Sequence, residues 1–376
     1  MMRVFLACAA LLFSAEIAWA DGRNDEKGPF HYAFEEIAPG VWAGVRPDGP
    51  RFPVQGSTVF VVEDESVVVF DGGAVPVMAD IIIEKIRSIT DAPVTHVVIS
   101  HWHGDHLFGA FRFAEEYPNV QYIAHRFTQR AIKGDRVDYI TGYQNFGDRV
   151  RPQITQALDT GVDLDGETEL DDMRRGLLER MFNDLDVVDS EYKRARVTEP
   201  TISFEDKLTL YVGDRSIELL FLGDANTAGD IVMWLPDERI VATGDMVVKP
   251  TPYAFNVPPR RWAQTLRNLN ALDYAILVPG HGEIQRDTAY VDLIIETSDA
   301  IADQRDQMIA EGKSNEEIQE ALDFSAFKER FTRGDAYTEL YYEAYFENPM
   351  RAAAIKELSG EPMVVIGPTT RTGEDE

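Results

Sequence analysis

The sequence predicts an α/β fold with a helical insertion near its middle and a helical C-terminal tail. Strand-forming runs bounded by glycine, proline and aspartate alternate with segments whose apolar residues recur at helical spacing. Several turns rich in histidine, aspartate or asparagine each follow one of these predicted strands. From Arg126 to Pro200, and again beyond Asp287, the composition shifts to charged, helix-favouring sequence. The alternation gives the layered α/β class. The two shifts give the insertion and the tail.

Taken in order, the chain opens with Arg3, an apolar run from Val4 to Phe13, and a small-x-small site at Ala18-Trp19-Ala20. This is the pattern of a secretory signal peptide over residues 1–20, so the mature chain is expected to start at Asp21 and to be periplasmic or secreted. The apolar run falls short of the ~20 residues that a bilayer core needs, so no stable membrane anchor is predicted. The single cysteine, Cys8, lies inside the signal. Disulfides, cysteine nucleophiles and thiolate metal ligands are thereby excluded from the mature chain. A net charge of -29, unchanged by loss of the signal because Arg3 and Glu16 cancel, repels phosphate backbones and anionic membranes. The expected partner is a small-molecule substrate, not nucleic acid, and an oligomer is left open.

A main domain over 29–290 begins with strands at Tyr32–Ile37 and Val41–Val45 around Pro39-Gly40. Ser57–Val62 and Ser66–Phe70 form a hairpin that ends at Asp71-Gly72-Gly73. Val77–Ile89 has helical spacing, and after Pro93 the strand Thr95–Ser100 completes a β-α-β progression. Val120–His125 is a further strand, and His125, like His31 and His96, reads as an ordinary structural histidine rather than a ligand. The insertion, about 126–200, is expected to contain helices over Thr168–Arg180 and Asn183–Arg196 and to serve as a cover over the site or as a solvated appendage. Strands resume at Thr201–Phe204, Leu208–Val212, Ser216–Leu222, Ile231–Leu235 and Ile240–Thr243. A helix over Pro259–Leu272 and a short strand at Ala275–Val278 close the domain. The extension, 291–368, continues the helix Asp287–Ala310, then a capping box from Ser314 to Glu317 and a long aromatic helix over Asp335–Leu358. The polar end, Thr369–Glu376, is expected to be disordered.

The chemistry concentrates in Ser100-His101-Trp102-His103-Gly104-Asp105-His106, which carries three of the seven histidines. Imidazole and carboxylate at this density suit a divalent metal without help from sulfur. In an extended segment residues i and i+2 point the same way, so His101 and His103 can grip one ion. Asp105 and His106, past Gly104 and in the first turn of a helix, face a second position. A pair of adjacent metal positions is expected.

This H-x-H-x-D-H run resembles the signature of the metallo-β-lactamase-fold superfamily of metal-dependent hydrolases. The resemblance extends through Gly223-Asp224-Ala225-Asn226-Thr227-Ala228-Gly229-Asp230, Thr243-Gly244-Asp245 and Pro279-Gly280-His281-Gly282, and covers roughly 41–286. It implies an αβ/βα sandwich of two mixed sheets with helices outside. His101 and His103 would then hold a first metal, and Asp105, His106 and His281 a second, with Asp245 between them. Asp71 would lie beneath the metal loop as a support for the ligands. Asn226 stands where most relatives have a third histidine, so it is expected either to ligate weakly or to orient substrate or water. Lys249, in the loop Met246–Phe255, would hold a substrate carboxylate or be an ordinary surface lysine. The implied cofactor is zinc, one or two ions, with iron(II) and manganese also compatible. The implied reaction is hydrolysis of a small ester, thioester, lactone or lactam-type substrate by metal-activated water, with Asp105 able to act on the proton if one ion is bound. Two other readings remain: an iron-dependent oxidoreductase of the same fold, and a non-catalytic metal-binding protein with a degenerate first site.

Overall fold

The computed structural model describes residues 28–46, 52–134, 137–255 and 257–357. The expected signal peptide and the polar end lie outside the described residues. Two sheets form the frame. The first has seven strands in sequence order: β1 (Ala33–Ala38), β2 (Val41–Val45), β3 (Thr58–Glu63), β4 (Ser66–Phe70), β5 (Val94–Ile99), β6 (Gln121–His125) and β7 (Ile202–Phe204). It is antiparallel from β1 to β4 and parallel from β4 to β7. The second sheet runs β12 (Ile276–Val278), β11 (Ile240–Ala242), β10 (Val232–Leu235), β9 (Arg215–Leu220) and β8 (Lys207–Val212). Only its β11–β12 pair is parallel.

Strand side chains alternate between faces, and here both faces are covered, so the central strands read as unbroken apolar runs. Val59, Val61, Val68, Phe70 and Val98 of the first sheet pack against Ile217, Leu219, Met233 and Leu235 of the second. The opposite faces carry separate helical layers. Phe60, Val67, Val69, Val97 and Ile99 pack under α1 (Pro76–Arg87) and the insertion. Val232, Trp234, Val241 and Leu277 pack under α8 (Pro259–Asn270), α9 (Ala289–Ala310) and the tail. This is the αβ/βα sandwich.

After β5 come two short helices, α2 (Gly104–Leu107) and α3 (Phe111–Glu116). The residues between β6 and β7 form α4 (Arg126–Lys133), α5 (Ile140–Gln144), α6 (Phe146–Thr160) and α7 (Asp172–Arg194). The two expected helices of this region are corrected to the single α7. Its start is fixed by Asp171, whose side chain accepts the Arg174 N–H at 2.7 Å, rather than by Thr168. Leu178, Met181, Leu185, Val188 and Tyr192 are buried on one stripe, so the helix runs through the polar Asn183-Asp184 pair without a break.

The tail contains α10 (Asn315–Ala321), α11 (Ser325–Thr332), α12 (Ala336–Tyr341) and α13 (Asn348–Lys356). The capping box of α10 forms in both directions. The expected single helix over Asp335–Leu358 is corrected: a π-helical turn, Tyr342–Glu347, separates α12 from α13. Pro349 supplies the reason. It has no N–H to give the Tyr345 carbonyl four residues back, and its ring crowds that carbonyl. The freed carbonyl instead accepts the Ala254 N–H at 2.9 Å, which docks the tail on the loop leading from β11 to α8. Among the described residues no helix is long and apolar enough to cross a membrane.

Candidate metal centre

Each chemical group leaves the end of a strand at one edge of the sandwich: His101, His103, Asp105 and His106 after β5, Asn226 after β9, Asp245 after β11 and His281 after β12. Two glycines let the backbone close in. A Cβ on Gly56 would lie 2.5 Å from Cε1 of His106, and one on Gly280 would collide with Oδ1 of Asp245.

The groups fall into two sets sharing Asp245. Asp105, His106, Asp245 and His281 form one, and His101, His103 and Asp245 the other, each with its ligand atoms within 4.8 Å of one another. In the first set, Nε2 of His106 lies 3.1 Å from Oδ1 of Asp245 and 3.3 Å from Oδ2 of Asp105. Nε2 of His281 lies 3.2 Å and 3.0 Å from the same two oxygens. Yet Nε2 of His106, Nε2 of His281 and Oδ1 of Asp245 are buried without a hydrogen-bond partner among the described residues. Polar atoms this close that are buried without hydrogen bonding are expected where lone pairs converge on a cation. The donor set therefore fits a divalent metal ion.

The supports are also built. His106 presents Nδ1 to Oδ2 of Asp71 at 2.7 Å, which keeps Nε2 free to face the site. The other Asp71 oxygen accepts the Ser100 N–H at 2.8 Å, and Thr58 Oγ1 donates to the Asp71 carbonyl at 2.8 Å. Asp71 holds this place with a left-handed backbone, φ 64°. Ser100 Oγ lies 2.9 Å from Nδ1 of His101 and orients that ring in turn. Asn226 presents its amide nitrogen to Oδ2 of Asp245 at 3.1 Å and to Nδ1 of His103 at 3.2 Å.

Burial opposes charge throughout the site, and the local partners decide which groups keep it. Burial, reinforced by His106, holds His101 well below the usual histidine range, and burial also lowers His103. Against burial, Asp245 and Asp105 raise His281 to about 9, and Asp105 and Asp245 hold His106 well above its ordinary value. Burial likewise opposes ionisation of Asp105 and Asp245, but His106 and His281 keep both far below the usual carboxylate range. Two ionised carboxylates drawing positive charge into a buried pocket are what a bound divalent cation requires; it would replace the protons on the imidazoles.

Other predicted residues are less central. Lys249 Nζ is engaged by Glu283 at 2.9 Å and by Gln285 at 3.4 Å. His125 caps α4 by accepting the Phe127 N–H and stacks on Phe221 at 4.6 Å. Two features were not legible in sequence. Ser100 gave no sign that it orients His101. Tyr253, in the loop Met246–Phe255 that the sequence singled out only for Lys249, places its ring 5.5 Å from that of His281 and stacks on Tyr345 of the tail at 4.8 Å.

Known proteins resemble this chain as follows. The model of the metallo-beta-lactamase superfamily matches residues 51–281. The linear primary-alkylsulfatase of Pseudomonas sp. (strain ATCC 19151) is 24% identical over 255 residues, 65% of this chain and 45% of that protein. The atrochrysone carboxyl ACP thioesterase of Aspergillus terreus (strain NIH 2624 / FGSC A1156) is 29% identical over 90 residues, 23% of this chain and 27% of that protein. The chain thus spans less than half the length of either relative. Among solved structures, a metallo-beta-lactamase from Pontibacter korlensis aligns at 16% identity and a TM-score of 0.47, over 72% of this chain and 99% of that one.

Proposed function

The chain belongs to the metallo-beta-lactamase superfamily, and from that membership we propose that it is a metal-dependent hydrolase of a small ester, thioester, lactone, lactam or sulfate ester. The observation that carries the reading is the convergence of Asp105, His106, Asp245 and His281, whose buried atoms lie 3.0–3.3 Å apart without hydrogen bonding at His106 Nε2, His281 Nε2 and Asp245 Oδ1. These four residues would hold the ion, zinc in this reading. When bound, such an ion activates water near neutral pH and polarises the substrate's electrophilic centre. Sulfate ester enters as a candidate because one relative is named an alkylsulfatase, and thioester, already expected, is named in the other.

The chain's own residues prepare the rest. Asp71 holds the proton of His106 on Nδ1, so that Nε2 faces the site. Asp105, with 17% of its side chain exposed against 2% or less for His106, Asp245 and His281, is the member of the set that a substrate can reach. It remains ionised, and with Oδ2 turned to the ligand cluster its Oδ1 is the oxygen left to hold a proton briefly as the reaction proceeds. Trp102 and Tyr253 put rings against His103 and His281, at 4.6 Å and 5.5 Å, and keep bulk water from the flanks.

The test is metal identity and stoichiometry on protein purified without added metal, beside turnover of ester, thioester, lactone, β-lactam and alkyl sulfate substrates. Hydrolysis of one class, lost with a chelator and restored by zinc, is the expected result. Iron content with oxygen consumption, or metal without turnover of any class, would replace the reading. Export is proposed on the first 20 residues alone, and a mature N-terminus at Asp21 by mass spectrometry is its check.

A further inference from the structure

Asp245 divides its oxygens between two different environments. Oδ1 faces His106 and His281 at 3.1 Å and 3.2 Å and accepts no hydrogen bond. Oδ2 lies 3.6 Å from Nε2 of His101 and accepts the Asn226 amide at 3.1 Å. The same amide nitrogen lies 3.2 Å from Nδ1 of His103. Asn226 thus directs both of its N–H bonds at two of the three residues in the His101–His103–Asp245 set.

The reverse orientation of the amide is unfavourable. It would set Oδ1 of Asn226 against a carboxylate oxygen of Asp245, acceptor against acceptor, in a side chain only 2% exposed. The observed orientation gives that carboxylate oxygen a donor and sets the same NH₂ group beside Nδ1 of His103, while Oδ1 of Asn226 is buried without a hydrogen-bond partner among the described residues. A second cation would have to displace both bonds, and in return would gain a neutral amide oxygen, a poor donor beside imidazole for zinc. The other set carries no amide donor, and once its imidazoles give up their protons its lone pairs converge.

We propose that this chain is a single-ion enzyme: Asp105, His106, Asp245 and His281 hold the ion, and the Asn226 amide ties His103 to Asp245 where a second ion would otherwise sit. The inference rests on the metal-dependent reading above and adds the number of ions and the role of Asn226. Asn226 is a positioning residue. It fixes the plane of the Asp245 carboxylate, so that Oδ1 stays aimed at the ion, and it holds the His103 ring through Nδ1.

The test uses the full chain, freed of metal by a chelator and titrated with Zn²⁺ by calorimetry, with bound zinc counted by mass spectrometry after gel filtration. One tight equivalent is expected, with any second at least about a hundredfold weaker. Asn226→Asp keeps the size of the side chain and exchanges a donor for a ligand, so it should gain a second tight equivalent. Its metal-free form should melt lower than the wild type, because two carboxylates then face each other, and should recover when Zn²⁺ is added. Two tight ions in the wild type overturn the inference and leave the hydrolase reading standing, as does a folded Asn226→Asp protein that still binds one. No tight ion in the wild type overturns both. Should Asn226→Asp fail to fold, the wild-type count decides alone.

Discussion

Asp71 Oδ2 lies 2.7 Å from Nδ1 of His106, while its Oδ1 holds the Ser100 N–H that begins the metal loop. One carboxylate therefore fixes both the tautomer of His106 and the start of the backbone that carries Asp105 and His106 to the site. Asp71→Asn should keep the backbone bond and reverse the other: the new amide donates to Nδ1, which drives the imidazole proton to Nε2, the atom that must face the ion. Zinc affinity is expected to fall roughly 10–100-fold with the fold intact. Calorimetric titration beside circular dichroism checks this, and an unchanged affinity would remove Asp71 from the site's support.

His106→Ala and His281→Ala each delete a ligand from the four-residue set, and each should abolish tight zinc binding and turnover together. Both side chains are nearly fully buried, so a melting curve is needed to show that the variants still fold. Metal content unchanged in both folded variants would refute the ligand assignment.

The parts of this molecule that sequence made legible are local. The run from His101 to His106 sits at a strand end with period-two spacing, and the turns at Asn226, Asp245 and His281 follow strands of their own. What escaped was long-range or depended on a single atom. The Asn226 amide reaches a histidine 123 residues away, and nothing in either segment encodes the direction in which it points. The expected helices Thr168–Arg180 and Asn183–Arg196 left a gap at Met181 and Phe182 that the buried stripe of Met181, Leu185 and Val188 carries straight through. The π-turn was readable in principle, since Pro349 must leave the Tyr345 carbonyl without its helical donor. That Ala254 would supply the replacement was not.

Asp230 makes a pH prediction. Burial pushes its carboxyl from 3.8 up to about 8, although Thr227 gives it two hydrogen bonds that work the other way. The folded state therefore holds a proton at Asp230 that the unfolded chain releases above 3.8. Its contribution to stability is full below that value, declines with rising pH by at most about 1.4 kcal/mol per pH unit, and is gone above the folded value. Asp230→Asn retains an acceptor for Thr227 and removes the titration. The difference in unfolding free energy between wild type and variant should shift in favour of the variant from pH 4 to about 8 and then level off. A difference that stays flat across this range would show that Asp230 is ionised in the folded protein.

The tail's hold on the site can be separated from the chemistry of its tyrosines. Tyr345 stacks on Tyr253 and on Tyr341, each at 4.8 Å, and is 4% exposed. Tyr253 in turn lies against His281, so the chain of rings runs from the π-turn to a proposed metal ligand. Tyr345→Ala removes a large buried ring from two stacks and should cost about 3–5 kcal/mol of unfolding free energy, the range for large aromatic deletions. It should also weaken zinc binding, because the ring behind His281 loses its backing. Tyr253→Phe keeps the stacking and removes a buried hydroxyl that has no hydrogen-bond partner among the described residues. Relieving an unsatisfied buried group is neutral or stabilising, so this variant should melt at or above the wild-type temperature with its zinc affinity unchanged. Urea titrations and calorimetry on the two variants decide the matter. Equal losses of stability would mean that the Tyr253 hydroxyl has a partner after all, while unchanged zinc affinity in Tyr345→Ala would confine the tail to a role in folding.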